Sequence, residues 1–115
     1  MLEQLDTHPT GTYHVRVASM RASWFPDVAR RVLDEIPDGV DAILDLSDIE
    51  SVDRFSVSAL GAAANDASQR GVTLAISARV PAVRAALLRE GVDQWASIAS
   101  DMTSARRLLG LLDQA

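Results

Sequence analysis

Near the start of the chain, hydrophobic residues alternate with polar ones, which is the two-residue period of a β-strand. Tyr13, Val15 and Val17 are separated by single polar residues, so these three side chains are expected to face the core. Thr10-Gly11 precedes them, and turn residues between two short apolar runs are typical of a hairpin. Residues 2–17 are therefore predicted to form two strands.

Farther along the chain, the apolar spacing switches repeatedly between helical and extended patterns. In chain order these patterns predict a helix over residues 26–36, a strand over 40–46, a helix over 56–70, a strand over 72–77, a helix over 81–90, a strand over 95–98 and a helix capped by Asp101. Gly71 and Gly91 directly follow two of these helices, where glycine commonly ends a helix. The strand over 40–46 is mostly apolar, as expected of a strand covered on both faces.

Strands and helices alternate in this order after the opening hairpin, which favours an α/β fold with a largely parallel sheet. The prediction is a four- to five-stranded sheet flanked by about four helices. A chain of 115 residues is long enough for one hydrophobic core and short for two. Residues 1–115 are therefore expected to form a single domain.

Charge and composition exclude several classes of function. The net charge is -5, and the 11 basic residues, all arginine, are scattered along the chain. Nucleic-acid binding needs a basic patch, so DNA and RNA are not expected partners. The chain has no cysteine, no basic leader before an apolar segment and no apolar run long enough to cross a bilayer. We expect a cytoplasmic protein without membrane insertion.

Residues that could support catalysis or cofactor binding are sparse. His8 and His14 lack the spacing of a metal site or a catalytic triad, and no glycine-rich loop is present to bind phosphate. Asp45, Asp48 and Asp53 come nearest to a cluster, at the end of a predicted strand. They form either a metal site at the sheet edge or an ordinary acidic loop. We expect no enzyme activity, metal or cofactor.

Arginine and aromatic residues offer candidate binding surfaces. Four arginines on the later helices form either one cationic face toward an acidic partner or solvated helix surface: Arg84, Arg89, Arg106 and Arg107. Phe55 and its neighbour Arg54 lie where a polar loop meets a helix, and both residue types are enriched at interface hot spots, although Phe55 could equally be buried. Trp24, Phe25 and Trp95 are expected to pack in the core.

One segment resembles a known family. Residues 42–53, Ala-Ile-Leu-Asp-Leu-Ser-Asp-Ile-Glu-Ser-Val-Asp, are similar to the diagnostic pattern of STAS (anti-sigma-factor antagonist) domains, in which an apolar strand is followed by Asp-Leu-Ser, a short apolar loop and Asp. The similarity continues through residues 70–74 and 83–92 and covers roughly residues 13–112. It implies a module that binds a kinase-type anti-sigma factor and frees its sigma factor.

The chain departs from the family at the phosphorylation motif. Regulated members carry Asp-Ser-Ser-Gly or Asp-Ser-Thr-Gly at the helix start, whereas this chain has Asp53, Arg54, Phe55 and Ser56. Phe55 takes the phosphoacceptor position, so the usual switch cannot be carried over. Ser56 and Ser58 are nearby hydroxyls that could replace the acceptor, or a helix cap and a helix-surface residue. Residues 53–56 and Ser58 are the predicted partner-binding positions.

Three functions remain open at this stage. The first is an anti-sigma-factor antagonist that works without phosphorylation, the second a STAS subunit of an ABC-type lipid transport complex, and the third a small-molecule-sensing STAS domain. The sequence also leaves open whether the domain forms a homodimer through an exposed strand edge.

Overall fold

A computed structural model describes residues 2–7, 13–18, 30–31 and 33–109, with the backbone alone for the first two stretches. The strands are β1 (Leu2–Thr7), β2 (Tyr13–Ala18), β3 (Asp41–Asp45), β4 (Thr73–Ser77) and β5 (Ala96–Ala99). The helices are α1 (Arg54–Gln69), α2 (Pro81–Arg89) and α3 (Met102–Leu108), and a 3₁₀ turn spans Val92–Gln94. Arg30, Arg31, Leu33 and Asp34 are also helical.

The strands form one five-stranded sheet whose spatial order follows the chain, from β1 to β5. β1 pairs with β2 antiparallel, and all later pairs are parallel. In register, Val15 lies beside Leu44, Leu44 beside Ile76, and Ile76 beside Ile98. The α/β class predicted from the alternating pattern is confirmed.

Helices cover both faces of the sheet. Successive residues of a strand point to opposite sides, so alternate strand residues contact helices on different faces. Leu44 and Ile76 belong to the larger core, together with Leu60 of α1 and Leu87 of α2. The intervening strand residues, such as Ile43 and Ala75, pack instead with Ala105 of α3 in a smaller core. Consequently α1 and α2 lie on one face of the sheet and α3 on the other.

Arg70, the residue that ends α1, ties this helix to the segment before β3. Its Nη1 donates to the carbonyl oxygen of Ile36 at 2.6 Å, and its Nη2 donates to that of Leu33 at 2.7 Å. These carbonyls flank the end of the described helical residues, and Leu33 and Ile36 are both buried. Of the predicted helix over 26–36, residues 30, 31, 33 and 34 are helical and residues 35 and 36 are not, while residues 26–29 and 32 lie outside the described residues.

Two glycines end helices as predicted, while several element boundaries differ from prediction by one or two residues. Gly71 and Gly91 have φ angles of 81° and 77°, the left-handed conformation expected after a helix. Helix α1, however, begins at Arg54 instead of residue 56. The last strand begins at Ala96 because Trp95 closes the 3₁₀ turn.

Candidate protein-binding surface

Helix α1 starts close to the edge of the sheet where the parallel strands end, and a side-chain cap sets its first turn. Asp53 is extended, and its Oδ1 accepts a hydrogen bond from the Ser56 amide at 2.7 Å. The interpretation of Ser56 as the cap is therefore wrong. A carboxylate three residues ahead satisfies an amide that the helix leaves open, which a serine inside the first turn cannot do for itself.

The cap also determines the protonation of Asp53. Hydrogen bonds from the Ser56 amide and hydroxyl hold the pKa of this carboxyl below its usual value of 3.8, because they stabilise the charged form. Asp53 consequently stays charged to lower pH than an aspartate without these hydrogen bonds. Its chemical role here is to fix the start of α1, which positions the two residues that follow.

These two residues, Arg54 and Phe55, project away from the core. Phe55 is 76% exposed, the most exposed of the large hydrophobic residues described. Ser58 lies three residues on, on the same side of the helix, and is exposed as well. Ser56 points the opposite way and is 1% exposed, so its hydroxyl does not contribute to this surface. The outer side of the first turn is thus formed by Arg54, Phe55 and Ser58.

A cavity of about 460 Å³ opens beside this turn, between the start of α1 and the end of α2. We call it the α1–α2 groove, and its lining residues are Val52, Asp53, Arg54, Val57, Ala86, Arg89 and Glu90. Arg54 reaches across it, with its Nε 3.5 Å from Glu90 Oε2. The groove combines an apolar base with charged side chains at its margin.

The aspartates do not assemble into a metal centre. Asp45 is 5% exposed, and its Oδ1 accepts hydrogen bonds from the amide and the hydroxyl of Ser47. Asp53 is engaged as the helix cap, and Asp48 is exposed. Throughout the described stretches, no three His, Cys, Asp or Glu side chains are placed to hold a metal ion.

The four arginines on the later helices do not form one cationic face. Arg84 donates to the carbonyl oxygens of Ala78 and Arg79, closing the turn before α2. Arg106 and Arg107 lie on α3, across the sheet from α2. Of the four, Arg89 alone lines the groove. Of the two alternatives, a shared cationic face is therefore excluded. Sequence order does not reveal which side of the sheet a helix packs on.

Trp95 packs against the larger core, as predicted, and contacts α1 near Gly61. His8, Trp24 and Phe25 lie outside the described residues, as does the side chain of His14. No helix within the described ranges is both long and apolar enough to cross a membrane.

The family model of the STAS domain matches residues 18–105, which is most of the chain. This chain belongs to the STAS domain family. A solved structure of the S58E variant of RsbS from Moorella thermoacetica has 17% sequence identity and a TM-score of 0.72, and the match covers 98% of each chain. The NMR structure of the protein TM1081 has 18% identity and a TM-score of 0.67, with 93% of this chain and 87% of that chain covered. No curated protein sequence matches.

At these identities the two structures establish a shared STAS fold for nearly the whole chain. Sequence reasoning located the first turn of this STAS domain's α1 but missed the groove beside it. Val52, Ala86 and Glu90 carry no local signal, since each becomes part of a surface only when α2 packs beside α1. Among the groove residues contributed by α2, Arg89 alone had been singled out in the sequence, as an arginine at the end of a helix.

Proposed function

We propose that this STAS domain is a non-enzymatic, cytoplasmic protein-binding module that acts as an anti-sigma-factor antagonist. It binds a kinase-type anti-sigma factor and frees the sigma factor without a serine phosphorylation switch. The observation that carries this proposal is the exposure of Phe55, 76% at the first turn of α1, where the family resemblance places the phosphoacceptor.

The physical support comes from the cost of leaving such a ring in water. Burying a phenylalanine side chain contributes about 1.5–3 kcal/mol, a contribution that this fold leaves largely unused. Phenylalanine next to arginine is typical of interface centres, and the Asp53 cap presents both side chains on a rigid helix. A phosphate at this position would add about -1.5 to -2 charge, whereas the ring adds none. Binding is therefore constitutive in this proposal.

The absence of enzyme activity is part of the same proposal. Asp53 and Asp45, two of the three aspartates considered as a metal site, accept hydrogen bonds from Ser56 and Ser47, which lie three and two residues farther along the chain. A thermal shift experiment with divalent cations tests this point. We expect an unchanged melting temperature, and a stabilising cation that copurifies in stoichiometric amount would contradict it.

The test of the antagonist role uses the kinase-type anti-sigma factors encoded in the same genome. Each is mixed with the chain and ATP, complexes are separated by size-exclusion chromatography, and the mass of the chain is measured by mass spectrometry. We expect a stable complex with one of them, an unmodified chain, and release of the sigma factor held by that kinase.

One result would contradict the absence of a phosphorylation switch, and another would contradict the antagonist role itself. Stoichiometric phosphate on Ser56 or Ser58 would show that the switch has moved to a neighbouring hydroxyl. Failure to bind any of these kinases, with recovery of a transporter subunit instead, would favour the lipid transport alternative.

A further inference from the structure

The lining of the α1–α2 groove is chemically mixed in a way that restricts what can bind. Val52, Val57 and Ala86 provide apolar surface, which favours an apolar side chain. Asp53 and Glu90 are also part of the lining, and these carboxylates would repel a polyanion such as a nucleotide. The groove therefore suits a ligand with apolar character and at most one negative charge nearby.

Arg89 supplies a positive charge that no side chain or carbonyl oxygen of the described residues pairs with. It is exposed in the last turn of α2. Arg84 of the same helix, by contrast, is engaged with two carbonyl oxygens. The guanidinium of Arg89 is thus available to an incoming carboxylate.

Arg54 provides a second guanidinium at the groove, from α1 instead of α2. Glu90, whose side chain is 22% exposed, pairs with its Nε, while the Arg54 side chain is 88% exposed. Most of this guanidinium group is therefore open to solvent, and a guanidinium carries parallel N–H groups of the kind that bind a carboxylate in bidentate fashion.

We infer that the α1–α2 groove selects the protein partner by accepting an apolar side chain flanked by an aspartate or glutamate, whose carboxylate pairs with Arg89 and Arg54. The inference rests on the proposed function, because it names the chemistry that the partner presents beside Phe55. Phe55 supplies burial, while the groove determines which partner fits.

The test begins with a library of random peptides displayed on phage, selected on the full wild-type chain. Enriched peptides are then titrated against wild type, Arg89→Glu and Arg107→Glu by fluorescence anisotropy. Arg107→Glu is the matched control because Arg107 also lies exposed in the last turn of a helix. Both substitutions therefore lose a similar interaction with the helix dipole. Arg107→Glu also loses the attraction to the Asp101 carboxylate, so circular dichroism checks that both variants fold.

We expect the enriched peptides to share an apolar residue next to an acidic one. Arg89→Glu should weaken their binding by roughly tenfold or more, and Arg107→Glu should leave it unchanged. Changing the acidic peptide residue to its amide should weaken binding to wild type but improve binding to Arg89→Glu, because the introduced glutamate repels the carboxylate and not the amide.

Peptides without an acidic residue, no enriched peptide, or equal loss in both variants would overturn the inference. A wild-type dimer that Arg89→Glu converts to a monomer would also overturn it, because a second copy of the chain would then cover the groove. If acidic peptides bind as expected but no kinase-type anti-sigma factor does, the proposed function fails and the groove chemistry stands. If such a kinase binds through Phe55 but Arg89→Glu has no effect, the groove inference alone fails.

Discussion

Replacing Phe55 with alanine should separate partner binding from folding. Burying a whole phenylalanine side chain contributes about 1.5–3 kcal/mol, and 76% of this residue remains exposed in the free protein. The part still to be buried in a complex is therefore worth about 1.1–2.3 kcal/mol, which corresponds to a loss of affinity of about six- to fortyfold.

The same exposure predicts a small effect on the fold. The buried quarter of the ring contributes about 0.4–0.7 kcal/mol to stability. Alanine has a higher helix propensity than phenylalanine, by up to roughly 0.7 kcal/mol, which offsets this loss at a position inside α1. The melting temperature of Phe55→Ala should thus stay within a few degrees of wild type.

The assay is isothermal titration calorimetry with the cognate anti-sigma factor, alongside thermal unfolding of the free chain. Leu108→Ala is the control, since Leu108 is 53% exposed on α3, across the sheet from Phe55, and should bind as wild type. If Phe55→Ala unfolds the domain, Phe55 belongs to the core. If it binds normally, the first turn of α1 is not the interface and the antagonist role loses its main support.

Substitutions at four positions provide the remaining tests. Phe55→Glu should bind more weakly than Phe55→Ala at a similar melting temperature, because it adds an unpaired charge to a desolvated interface; equal binding by the two variants would count against burial there. Gly61→Ala should stabilise the domain by up to about 1 kcal/mol in urea unfolding, because its new methyl group would lie 3.6 Å from Val92 and 3.7 Å from Trp95, at ordinary contact distance; destabilisation would show that α1 has no room for it. Arg70→Ala should lower the free energy of unfolding by roughly 1.5–3 kcal/mol, since two carbonyl oxygens lose a charged donor, and Arg70→Lys should recover only part of this loss in the same assay. Because the folded state lowers the pKa of Asp53 below 3.8, the charged cap stabilises the fold above that pH and stops doing so as pH falls through the lowered value. The melting temperature difference between wild type and Asp53→Ala should therefore shrink in acid.

Most of the fold could be predicted from the sequence because its determinants are local. Alternating and helical spacings of apolar residues depend only on which face of a strand or helix is buried, so the order of strands and helices followed from them. The left-handed conformations of Gly71 and Gly91 and the cap at Asp101 depend on neighbours within a few residues. The same holds for the Asp-Leu-Ser segment that begins at the last residue of β3, which indicated the STAS family.

The candidate site could be predicted only in part. Asp53, Arg54 and Phe55 were located at a helix start by their order along the chain, but whether the Phe55 ring was buried or exposed remained undecided. Ser56 and Phe55 are adjacent, and one is buried while the other is exposed. Which of them faces the core depends on where α1 begins, and the Asp53 cap moved that start two residues earlier than predicted.

Tertiary structure alone decided which distant residues meet. The side of the sheet on which each helix packs separates Arg89 from Arg106 and Arg107, although all three had seemed equivalent in sequence. The α1–α2 groove brings Val57 together with Ala86 and Glu90, although strand β4 lies between these helices in the sequence. A local pattern of apolar residues predicts that a side chain is buried, because burial requires only an apolar face. It does not predict which residues pack against that face, because many apolar surfaces can cover it and only the packing of the whole chain selects one.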